Sequence, residues 1–161
     1  MTEQKPPMGP PEEMKQLAYL IGDWEATGKV MIDPSKQEWV DYNATMRYEW
    51  MFNGGAIRGD HSGSLIGMTY RGHLIIPYDR EKKEWQSAWM DDIACRQSIH
   101  TGAYENGAMV VEGDDIRTGA SLRMRITTAR KSDTELDWKM EMSADGGATW
   151  MTTSTAVYRK K

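Results

Sequence analysis

The chain holds a single cysteine, Cys95, among its 161 residues. One thiol cannot form an internal disulfide, which excludes a cystine-stapled secreted scaffold. Proline is scarce: Pro6, Pro7, Pro10 and Pro11 crowd the start, and only Pro34 and Pro77 follow. No long uncharged apolar run occurs, so no transmembrane helix is expected. Positive charge is not in excess either, with 20 Lys and Arg against 24 Asp and Glu and a net charge of −4. That balance makes nucleic acid a poor partner. Histidine is limited to His61, His73 and His100. These and Cys95 fall on separate expected strands without ligand spacing, so no metal site is expected. Glycine-rich Walker and dinucleotide spacings are missing. Gly63-Ser64-Leu65-Ile66-Gly67 places serine second rather than third, so it is not a nucleophile elbow.

Phenylalanine is nearly absent, with one Phe against seven Trp, seven Tyr and thirteen Met. Trp and Tyr join an apolar body to a polar handle, and Met fills irregular space. Such residues suit a β-protein core, or an interior that accommodates a small apolar molecule.

The pattern along the chain gives a fold. Residues 1–10 read as an extended, proline-rich flexible arm without the apolar centre of a signal peptide, so a cytoplasmic location is expected. Residues 11–20 read as a short helix, with Met14, Leu17, Ala18 and Ile21 at helical spacing. From Gly22 the period changes to two. Strands are expected at 22–32, 39–52, 56–66, 69–77, 84–91, 95–104, 107–113, 120–131, 134–143 and 149–159. The clearest is 39–52, where Val40, Tyr42, Ala44, Met46, Tyr48, Trp50 and Phe52 oppose Asp41, Asn43, Thr45, Arg47 and Glu49. About ten short strands and no linker predict one all-β domain over 11–161. Its sheet should be a closed or nearly closed antiparallel barrel with the first and last strands adjacent.

Some of these residues resemble a known family. Gly22-Asp23-Trp24 after a short helix resembles the G-x-W opening of calycins: lipocalins, fatty-acid-binding proteins and nitrobindins. Gly54-Gly55-Ala56-Ile57-Arg58, Pro77-Tyr78-Asp79, Trp89-Met90-Asp91 and Tyr158-Arg159-Lys160 more closely resemble a bacterial domain-of-unknown-function family in that superfamily, over roughly 12–161. The resemblance implies a calycin-like barrel, and the family itself implies no activity. The fatty-acid-binding R-x-Y pair is incomplete, since Tyr158 matches but Ala156 replaces the arginine. Arg96, Arg123 or Arg125 would have to substitute. The histidine that holds haem near the C-terminus of nitrobindins has no counterpart, and no cofactor is expected. Ser143-Ala144-Asp145-Gly146-Gly147-Ala148-Thr149-Trp150 matches the Asp-box of sialidase blades. One box cannot build a propeller, so it reads as a structural hairpin.

The leading expectation is a non-catalytic barrel that binds a small, mostly apolar ligand. Parity assigns Trp24, Tyr42, Met46, Tyr48, Trp50, Met124, Trp138, Met140 and Tyr158 to the cavity wall, and Trp85 and Trp89 join them. The rival is a solid-core interaction module, with Trp39, Met51 and Met151 forming a homodimer or partner surface. A third reading is an enzyme using Asp91 and His100. Membrane insertion is not expected.

Overall fold

The computed structural model describes residues 7–117 and 120–161. Over these residues ten antiparallel strands run in chain order: β1 (Gly22–Asp33), β2 (Glu38–Met51), β3 (Ala56–Leu65), β4 (Met68–Asp79), β5 (Glu84–Asp91), β6 (Gln97–Glu105), β7 (Ala108–Arg117), β8 (Ala120–Arg130), β9 (Glu135–Ser143) and β10 (Met151–Lys160). Each pairs with the next, and β1 also pairs with β10, so the barrel is closed. Closure leaves no edge strand, which a sheet of this width needs.

Alternation sets the two faces. Along β2, Tyr42, Ala44, Met46 and Tyr48 are buried while Asp41, Asn43, Thr45 and Arg47 are exposed. Register carries this face around the ring: Tyr42 lies opposite Gly28 and Leu65, and Met46 opposite Trp24 and His61. Directly opposed residues share a face, so one buried strand dictates the next.

One end of the barrel is plugged. Glu12–Leu20 forms a 3-10 helix rather than an α-helix, and Met14, Leu17 and Leu20 are its buried residues. Three residues per turn align these positions on one edge, whereas Ala18, expected inward from α-helical spacing, is exposed. The helix crosses the end where β1 begins. Trp24 Nε1 donates to the Leu20 carbonyl at 2.6 Å, and Lys160 Nζ donates to the Tyr19 carbonyl at 2.9 Å. Arg130 stacks its guanidinium 4.6 Å from the centre of the Tyr19 ring. Of the expected arm, residues 1–6 lie outside the described residues. Pro7 and Gly9 accept hydrogen bonds from Arg80 through their carbonyls.

Two expectations about exposed apolar residues change here. Trp50 and Phe52 continue the β2 parity, yet Phe52 has left the strand for a single 3-10 turn, Phe52–Gly54, and is exposed. Trp50, at the last inward position, is 39% exposed beside Pro10, Pro11 and Met14. β1 begins at Gly22, opposite Tyr48, so Trp50 has buried Ile57 beside it on β3 but no β1 residue on its other side. Trp39 and Met151 are exposed at the end opposite the plug, but Met51 is half-buried and closes β2 at the plugged end. About 40 Å of extended strand separates Trp39 from Met51, so the three do not make one surface.

The Asp-box is a hairpin device. Asp145 Oδ1 accepts from Ser143 Oγ at 2.6 Å and from the Thr149 amide at 2.9 Å, and its Oδ2 accepts from Thr149 Oγ1 at 2.5 Å. The Ser143 and Thr149 hydroxyls hold its carboxyl well below the usual carboxylate range. Gly146 and Gly147 turn with φ of 74° and 101°. Trp150 is covered by the Arg125 guanidinium, 3.9 Å from the ring centre.

Candidate functional site

Most of the residues singled out above meet in the interior. Trp24, Tyr42, Met46, Tyr48, Trp85, Met124 and Tyr158 are buried there. Trp89 and Trp138 are half-buried and pack against the same cluster. Met140 is half-buried between Ile126 of β8 and Ser154 of β10. Trp50 is the exception described above.

Glycine makes room for the rings. Gly59, Gly63 and Gly72 are buried on the inward face of β3 and β4. A Cβ on Gly63 would stand 2.6 Å from Tyr70 and 2.8 Å from His61. Two adjacent strands therefore present bare backbone on which aromatic side chains lie.

On this floor sits a polar aromatic cluster. The Tyr42 hydroxyl meets His61 Nε2 at 2.5 Å, and the Tyr70 hydroxyl donates to the Tyr42 hydroxyl at 3.3 Å. His61 is tilted against Tyr70 at 5.1 Å and edge-on to Trp89 at 5.3 Å between ring centres. Burial pushes the Tyr42, Tyr48, Tyr70 and Tyr158 hydroxyls above the ordinary phenol value, so all four are neutral O–H groups. Burial also draws the His61 imidazole down to about 4, against a smaller opposing effect of Asp91. His61 is neutral at pH 7, and its Nδ1 is buried without a partner. His61 and Tyr70 were missing from the expected wall. The inward alternation Ile57, Gly59, His61, Gly63 along β3 is the sequence signal that places His61 there.

His100 forms a second polar point. It is 1% exposed, lies opposite Ser87, and packs against the backbone of Gly113. Neither ring nitrogen has a hydrogen-bond partner among the described residues, and burial lowers its pKa, with Asp115 partly opposing. The expected Asp91–His100 pair is not formed. Asp91 lies opposite Gly72, and its carboxylate accepts from Trp89 Nε1 at 2.8 Å and from the Ile93 and Ala94 amides. The imidazole that senses Asp91 is that of His61. His73 faces outward and bonds Asp60 at 2.7 Å.

The arginines considered for a carboxylate ligand are engaged elsewhere. Arg123 and Arg125 lie on the outer face and pair with Glu112, at 3.1 Å and 2.7 Å. Arg96, in the connection after β5, pairs with Asp115 at 2.5 Å. Among the described residues no group of three His, Cys, Asp or Glu side chains converges as a metal site.

Some inward side chains are less completely buried than their neighbours. Trp138 lies between buried Thr128 and buried Ala156, yet is itself only partly buried, as are the inward Ile126 and Met140. The end opposite the plug carries exposed apolar groups: Ile32, Trp39, Ile66, Met68, Ile93 and Met151. No helix among the described residues is long and apolar enough to cross a membrane.

Comparison with solved structures finds the same barrel elsewhere. Rv2717c from M. tuberculosis matches with a TM-score of 0.68 and 12% identity, covering 95% of this chain and 99% of that one. The S-type phycobiliprotein lyase CPES from Guillardia theta gives 0.58 and 12%, covering 93% and 91%. EF1p2_mFAP2b bound to DFHBI gives 0.53 and 8%, covering 92% and 98%. At these identities the likeness is one of fold. No curated protein matches the chain. The family described as "Protein of unknown function (DUF1579)" matches residues 9–160, nearly the whole sequence, and the chain belongs to that family.

Proposed function

We propose that the protein is a non-catalytic carrier that holds one small, mostly apolar, uncharged molecule inside its barrel. The wall would be Tyr42, Met46, Tyr48, Trp85, Trp89, Met124, Trp138, Met140 and Tyr158, without Trp50. The observation that carries the reading is the incomplete burial of the inward residues Ile126, Trp138 and Met140. A solid core would bury them. Burial of apolar ligand surface would drive binding, at about 25 cal/mol per Å² before association costs. Neutral tyrosine hydroxyls and imidazoles would orient the ligand. They offer hydrogen bonds without a charge, and the outward pairing of Arg123 and Arg125 leaves a carboxylate without those partners. The exposed apolar groups at the end opposite the plug suit entry of such a molecule there. Among barrels of similar form, EF1p2_mFAP2b holds DFHBI, which supports the capacity of the architecture.

Native mass spectrometry of the protein purified from its own host tests the reading. A retained small molecule is expected. An unliganded mass, together with no saturable binding across chemically varied apolar fluorescent probes, would overturn it in favour of a filled interaction module.

A further inference from the structure

The Tyr70–Tyr42–His61 chain has a direction. Tyr70 gives its proton to the Tyr42 oxygen. Tyr42 also interacts with the Tyr158 hydroxyl, but its short contact is the one to His61 Nε2, at 2.5 Å, and its proton is assigned there. A neutral imidazole bears one N–H, and a nitrogen that accepts cannot also carry it. The His61 proton then resides on Nδ1. That nitrogen is buried and has no partner among the described residues. An N–H buried without an acceptor is costly, and native interiors rarely leave one so.

We propose that His61 Nδ1–H is the specificity-determining donor of the interior, recognising a ketone-type oxygen on an uncharged apolar ligand. The proposal rests on the carrier reading above and names the ligand chemistry of that site. In this recognition Tyr42 acts as a positioning residue, because its hydroxyl is engaged by His61 and sets the tautomer. Trp89 stands edge-on to the imidazole and is only half-buried, so it is the neighbour that yields as the oxygen reaches Nδ1. Bare backbone at Gly63 and Gly72 leaves these rings free of side chains beneath them. The site selects for an acceptor and against both a plain hydrocarbon, which would leave Nδ1–H unpaired, and a cation, which would repel it.

Two measurements on the intact protein test this. Long-range ¹⁵N–¹H spectra of imidazole-labelled protein should show His61 as the Nδ1–H tautomer. Titration with 9-fluorenone and fluorene, which share a ring system and differ in the ketone oxygen, should give saturable binding of both by tryptophan quenching. Fluorenone should bind about tenfold more tightly, the usual worth of one buried hydrogen bond, and should shift the Nδ1–H resonance. His61→Phe should bring the two affinities together. Tyr42→Phe, which keeps the ring and removes the relay hydroxyl, should move the tautomer towards Nε2–H and reduce the preference. Equal affinities in the wild type, or an Nε2–H tautomer with Tyr42 turned towards Tyr158, would overturn the assignment and leave the carrier reading standing. Failure of both compounds to bind would overturn the carrier reading and this donor role together.

Discussion

The indole of Trp89 lies over Gly72 so closely that a Cβ there would stand 2.2 Å from the ring. The same indole donates to Asp91, whose other oxygen caps the amides of Ile93 and Ala94. One glycine thus seats an aromatic side chain in the interior and, through it, orders the turn after β5. Gly72→Ala should push the indole off this seat and cost about 1–3 kcal/mol, as overpacking does elsewhere. Urea unfolding with tryptophan fluorescence would measure it. A wild-type midpoint and emission spectrum would refute the steric argument.

Trp24 and Trp50 share the inward parity of adjacent strands but not the same surroundings. Trp24 is fully buried under the plug, so Trp24→Ala should cost about 3–5 kcal/mol. Trp50→Ala, at an exposed barrel end, should cost less than half of that and leave interior probe binding unchanged. Thermal melts and probe titrations of the two variants would separate them, and equal losses would restore Trp50 to the wall.

His61 should make stability depend on pH. Its folded pKa of about 4 lies below the ordinary histidine value near 6.5, so the unfolded chain binds the extra proton between them. Stability is then full above about pH 6.5 and falls as pH drops towards 4, by up to about 3 kcal/mol in total. His61→Gln should flatten this window relative to wild type in denaturation curves taken across it. Burial of His100 acts in the same direction, so some slope should remain in the variant. An unchanged slope would show that His61 is readily protonated in the native barrel.

Ile66, at the tip of the β3–β4 hairpin, has a φ of +51° and an exposed side chain. A β-branched residue is strained in that region, whereas asparagine tolerates it and favours a two-residue turn before Gly67. Ile66→Asn should therefore raise stability by about 0.5–1 kcal/mol. A lower melting temperature in the variant would mean that the isoleucine makes compensating contacts at the rim.

Asp145 should prove structural. Asp145→Ala removes acceptors for the Thr149 amide and the Ser143 and Thr149 hydroxyls, so exchange of the Thr149 amide should accelerate and the melting temperature should fall. Probe affinity should stay the same. Loss of binding with the melting temperature intact would move the box from hairpin to site.

Much of this architecture was legible from local pattern. Alternation from Val40 to Tyr48, the turn residues between strands, and the adjacency of first and last strands all follow from period two and the need to satisfy sheet edges. What local pattern could not supply was anything set by where other segments end. Trp50 keeps the parity of Tyr48, but β1 begins opposite Tyr48 and leaves Trp50 without a β1 neighbour. The helix bears the right residues, yet its winding as 3-10 follows from packing Met14, Leu17 and Leu20 along one edge above the core.

The cluster around His61 belongs wholly to the tertiary structure. Tyr42, His61, Tyr70 and Trp89 lie on four consecutive strands, and their meeting depends on hairpin registers that chain spacing does not encode. The Asp91–His100 pairing looked plausible across one hairpin, but the register of β5 and β6 places Ser87 opposite His100. By itself the sequence determined which side chains face inward, because that depends only on alternation within a strand. Which inward side chains touch was decided by register and shear around the closed ring, since a shift along one strand moves every contact across it.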